Sequence, residues 1–68
     1  MPFYVQFLDE EYRVNKKMSL GELAKFLEEK LNTELDAIFK ARRYDDVVEY
    51  IISYDYSIIP VKVVRRDP

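Results

Sequence analysis

The chain predicts one small α+β domain over residues 1–68, and three observations carry that expectation. Its amino-terminal residues alternate apolar and polar, a complete helix-capping signal follows, and a β-branched run lies near the carboxyl end. A chain of 68 residues has room for only one core, and at this size folding hides roughly 60% of the unfolded surface. With no cysteine and no histidine, disulfides and the usual metal sites are unavailable as reinforcement, which leaves hydrophobic packing or oligomerisation. The apolar content of 49%, aromatics included, is enough to support a core despite the dense charge.

In chain order, residues 3–8 place Phe3, Val5 and Phe7 on one face and Tyr4, Gln6 and Leu8 on the other, which predicts a half-buried strand. Asp9, Glu10 and Glu11 form a polar break. Tyr12, Val14 and Met18 then continue the alternation, giving a β-hairpin with a loop of about three residues. Ser19-Leu20-Gly21-Glu22 fits a capping box, because the serine oxygen can accept the N3 amide while Glu22 reaches back to the serine amide. Met18 and Leu23 are spaced as a hydrophobic staple. Leu20, Leu23, Ala24, Leu27 and Leu31 mark the buried helical face, and Asn32 the stop. Residues 37–42 read as a strand. Residues 45–53 fit either period, and Asp45-Asp46 as a negative start, with no Gly, Asn or Pro for a tight turn, favours a short helix. Residues 58–65 form the last strand, with Pro60 near a sheet edge or the strand's start.

The order strand, strand, helix, strand, short helix, strand, with a capped helix directly after an amino-terminal hairpin, resembles the ubiquitin-like β-grasp superfamily. The resemblance is architectural and covers most of the chain. It implies a β-grasp-like ββαβ(α)β domain with one main helix on a mixed sheet, its first and last strands being parallel neighbours. Helical residues 34–53 would instead give a two-helix, three-stranded ββααβ domain. Conjugated modifiers and sulfur carriers of this superfamily end in Gly-Gly. This chain ends Arg65-Arg66-Asp67-Pro68, so conjugation through that end is not expected.

For function, the missing residue types say most. Without cysteine or histidine the common transition-metal and nucleophile-base sets are gone, and no Gly-rich phosphate loop accompanies the single glycine. No catalytic, metal or cofactor site is expected. The carboxylate clusters Asp9-Glu10-Glu11, Glu28-Glu29 and Asp45-Asp46 suit acid-base work or a hard cation, but also fit a loop, a solvated helix face and a helix start. The charges are mixed, with a net value of −2, and there is no spanning-length apolar run or basic leader. Membrane association is not expected, and the cytosol is.

The surplus is apolar. With Phe3, Val5 and Phe7 inward, the opposite sheet face should show Tyr4, Leu8, Ile58, Lys62 and Val64, ending at Arg66, as a mixed patch suited to another protein or a second copy. The predicted function is therefore a non-catalytic protein-interaction domain such as an adaptor, an inhibitor or a small subunit. The alternative is a small nucleic-acid-binding protein using Arg42, Arg43 and Tyr44 with Arg65 and Arg66, since guanidinium groups bind phosphate and tyrosines stack on bases.

Overall fold

The capping signal at Ser19 is realised in full in the computed structural model, which describes residues 2–67. The Ser19 hydroxyl accepts the Glu22 amide at 3.2 Å, and the Glu22 carboxylate accepts the Ser19 amide at 2.9 Å. Helix α1 (Leu20–Leu31) follows and stops at Asn32, whose φ of 56° is a left-handed conformation that asparagine tolerates. Leu23 and Leu27 are buried on its inner face, whereas Leu20, in the first turn, stands in solvent at 47% exposure. Phe26 supplements that face by packing edge-on against Tyr12, with ring centroids 5.8 Å apart.

Five strands surround the helix in sequence: β1 (Phe3–Phe7), β2 (Glu10–Val14), β3 (Ala37–Tyr44), β4 (Val47–Tyr54) and β5 (Ser57–Arg65). They form one sheet in the order β2-β1-β5-β4-β3. Every neighbouring pair is antiparallel.

The expected short helix over residues 45–53 is therefore corrected to strand β4, and the two-helix ββααβ alternative is not what forms. Val47, Val48, Ile51 and Ile52 are β-branched and fit a pleated surface better than a helix. Asp45-Asp46 is not a helix start but the two-residue link from β3 to β4, with Asp45 at φ 48°. Aspartate tolerates positive φ, so it can make a tight turn without glycine.

Making β4 a strand also changes direction further on, because each hairpin reverses the chain. The first and last strands are neighbours, as expected, but β5 runs antiparallel to β1, with Tyr4 opposite Val64 and Gln6 opposite Lys62. The sheet is antiparallel rather than mixed, and it departs from the parallel pairing that the ubiquitin-like resemblance implies.

Pro60 sits in β5 where only β4 pairs with it. The β1 ladder ends at Gln6–Lys62, while Pro60 faces Ile51 of β4. Its missing amide therefore costs no ladder bond on the β1 side.

The core is Val5, Phe7, Leu23, Leu27, Ile52 and Val61, flanked by half-buried Tyr50, Tyr54, Ile59 and Val63. One helix lies on one face of this sheet. A helix with its side chains is about 10–12 Å wide, while five strands at about 4.8 Å spacing span nearly twice that. Part of the inner face and all of the outer face are thus left without a covering element.

Candidate functional site

The registers place the outer-face residues in rows across the strands. Tyr4, Val64, Val47 and Tyr44 form one apolar row. Gln6, Lys62, Glu49 and Arg42 form a polar row beside it. Pro60, Ile51 and Phe39 form a second apolar row, with Ile58 beyond it opposite Ser53.

The polar row is partly neutralised internally. Glu49 takes the Arg42 guanidinium and, at 3.9 Å, the Lys62 ammonium. At its edge Arg66 donates two hydrogen bonds to the Glu11 carboxylate, at 2.9 and 3.2 Å, while Gln6 donates a third at 2.8 Å. The Arg66 guanidinium also lies 4.5 Å from the Tyr4 ring centroid, and that of Arg42 lies 4.8 Å from Tyr44. The hydrogen bond from Arg42 holds the Glu49 carboxyl below its ordinary range, and that from Arg66 does the same for Glu11. Arg42 and Arg66 are correspondingly harder to deprotonate, each chiefly through its hydrogen bond to that carboxylate.

Of the residues the sequence predicts for a protein contact, Tyr4, Lys62, Val64 and Arg66 gather at one end of this face, with Tyr4 and Val64 only half-buried. Leu8 and Ile58 lie toward the other end. There the exposed apolar surface is richest, with Leu8 at 54%, Phe39 at 62%, Ile58 at 74% and Tyr56 fully exposed. Leu8 and Tyr56 sit in the β1–β2 and β4–β5 turns at φ 50° and 62°, beside Asp9 and Asp55, which also have positive φ. Two consecutive residues at positive φ are what a type I′ hairpin turn requires, yet bulky side chains strain such positions.

Phe39, Ile51, Pro60 and Tyr56 were not among the predicted contact residues. A strand over residues 37–42 already carried the signal for Phe39, since burying Ile38 forces its neighbour outward. The face of Ile51 depended on β4 being a strand, and nothing in the sequence marks the Tyr56 turn.

The arginine pairs are divided between the two faces. Arg42 and Arg66 face outward on carboxylates. Arg43 lies opposite inward-facing Val48, and Arg65 lies opposite inward-facing Phe3, pairing with Asp46 at 2.9 Å. They make no continuous basic stripe of the kind the nucleic-acid alternative favours. The parity changes within β3 because a bulge at Ala41 separates the Lys40–Tyr50 and Arg42–Glu49 pairs.

The carboxylate clusters have structural partners. Glu11 holds Arg66, Glu28 accepts the Leu35 amide at 2.8 Å, and Asp46 holds Arg65. Among the described residues no group of acidic side chains is arranged to hold a metal ion. No described helix is long and apolar enough to cross a membrane. Comparison with protein-family models, curated proteins and solved structures finds no match to this chain.

Proposed function

We propose that this chain is a non-catalytic protein-interaction domain, an adaptor, inhibitor or small subunit, which docks a partner protein on the outer sheet face. The observation that carries this reading is the gathering of Leu8, Phe39, Tyr56 and Ile58 at one end of the sheet. A small domain gains little by leaving such groups in water, and clustered exposed apolar side chains bordered by polar ones mark contact surfaces. Strain points the same way. Leucine and tyrosine in turns that would suit glycine or asparagine are retained at a cost, as residues held for contact are. In the neighbouring polar row the single carboxylate, Glu49, is shared by Arg42 and Lys62 and leaves one positive charge uncompensated, so the partner surface is chiefly apolar rather than highly charged. Tyr4, Lys62, Val64 and Arg66 extend the contact across the face, and the cytosol is the compartment this reading assumes.

The test is affinity capture from the native host with the unaltered chain and with a Phe39→Asp, Ile58→Asp double variant, followed by chemical cross-linking. The variant should keep its circular dichroism spectrum and recover at least about tenfold less partner, because both changes place a charge in the contact. Cross-links should map to β3, β4 and β5. Equal recovery, cross-links confined to α1, or no partner at all would overturn the proposal. Sedimentation velocity identifies the case in which the partner is a second copy.

A further inference from the structure

On the inner face, beside the helix, the uncovered part of the sheet forms a cleft of about 110 Å³. Phe3, Val48, Tyr50 and Val63 from the sheet line it, together with Met18 from the segment before the helix and Leu23 from the helix itself. Four cations also line it: Lys16, Lys17, Arg43 and Arg65, against Asp46 as the single carboxylate. This concentration of positive charge occurs in a chain whose net charge is −2. Lys16 is paired with Glu22 and Arg65 with Asp46, but among the described residues Lys17 and Arg43 have no ion-pair partner.

We infer that this cleft binds a small amphipathic carboxylate, an acid with a ring-sized aromatic or short alkyl body, whose apolar end enters the cleft and whose oxygens meet Arg43 and Lys17. Size sets the body, because a cavity of about 150 Å³ accommodates benzene and one slightly smaller takes a single ring or short chain with its polar end projecting. Charge sets the head. A guanidinium offers a planar fork matched to a carboxylate, and a flexible ammonium beside it adds a second donor. Tyr50 supplies an aromatic wall for the ring. The bulge at Ala41 is what makes the site, because it changes the parity of β3 and sets Arg43 on the inner face instead of the outer one. The cleft and the proposed protein-docking surface lie on opposite faces, so either can fail without the other.

The experiment is an amide chemical-shift titration of the whole chain with phenylacetate, with phenylacetamide as the uncharged control and inorganic phosphate as the head-only control. Phenylacetate should shift the Val48, Tyr50 and Val63 resonances saturably with half-saturation near roughly 1 mM, as suits so small a ligand. Phenylacetamide should bind at least about tenfold more weakly for want of charge-assisted contacts, and phosphate should not saturate. A Lys17→Gln, Arg43→Gln double variant should lose phenylacetate affinity to a similar extent while retaining its circular dichroism spectrum. If that variant fails to fold, rising salt should weaken binding to the unaltered chain, since the contacts are partly exposed ion pairs. Equal binding of the amide, saturation by phosphate alone, shifts centred elsewhere or no saturation would each overturn the inference.

Discussion

The two faces of the sheet are woven from the same alternating strands, yet different forces hold them. On the inner face the fully buried side chains are all apolar, and no buried polar side-chain atom of the described residues lacks a partner. On the outer face the order comes from cross-strand pairs such as Arg42–Glu49 and from Arg66–Glu11, which stay in contact with water. Alternation decides which side chains share a face, but the covering element decides what their contacts are worth. Burial under α1 removes apolar area from water at about 25 cal/mol per Å², whereas solvent screens the outer ion pairs.

The largest test of that contrast is a pair of truncations. Leu27→Ala empties a site at the centre of the core and should cost about 2–5 kcal/mol in urea unfolding. Ile58→Ala removes a similar side chain at 74% exposure and should stay within about 0.5 kcal/mol. Comparable losses would mean that the outer face is packed in solution, as by self-association, and would sharpen the docking proposal into a dimer.

How the sequence conveys these faces differs along the chain. Between residues 3 and 32 the local signals agree: β1 alternates, Ser19 and Glu22 close a capping box, and Asn32 ends the helix in the left-handed conformation. Between residues 33 and 56 they compete, since the β4 residues satisfy both a helical and a strand period. What decides is tertiary: β4 gains a ladder on each side and buries Ile52 beneath the helix. The aspartate turns conceal the hairpins because only Asn-Gly or Asp-Gly signals them strongly. For the candidate site, Tyr4, Ile58, Lys62 and Val64 could be set on the outer face from period two alone, whereas Leu8, read as the end of the first strand, lies in the β1–β2 turn. Period two also divides each adjacent arginine pair between the faces and sets Arg66 outward, but which of Arg42 and Arg43 turns inward could not be read, because it depends on the Ala41 bulge.

A medium effect separates stability from recognition within the outer end. Tyr56→Gly removes a bulky residue from φ 62°, relieving about 1–2 kcal/mol of left-handed strain against about 0.5–1 kcal/mol of added chain entropy. The variant should therefore unfold at slightly higher urea, and its partner capture should fall because Tyr56 is fully exposed. Higher stability with unchanged capture would place the contact on Phe39 and Ile58 without the turn. Lower stability would show that the tyrosine contributes to the fold.

The smallest expected effect concerns pH, and on the outer face it comes from two carboxylates. The Arg66 hydrogen bond lowers the Glu11 carboxyl from its ordinary 4.5, and the Arg42 hydrogen bond lowers that of Glu49. Both groups are more acidic folded than unfolded, so below the ordinary value the unfolded chain binds protons first. Their contribution is therefore fully present above the ordinary carboxylate range and is lost as pH falls through the lower folded values. Urea midpoints measured from about pH 6 down to about pH 3 should decline, and a Glu11→Gln, Glu49→Gln double variant should decline less steeply. Glu22 provides the internal control, because its carboxyl is lowered chiefly by the Ser19 amide in the helix cap and remains in the double variant. High salt should flatten the part owed to the ion pairs and spare more of the capping part. An identical slope in the double variant would mean that the outer pairs contribute nothing to stability, leaving apolar burial on the inner face as the force that holds the sheet.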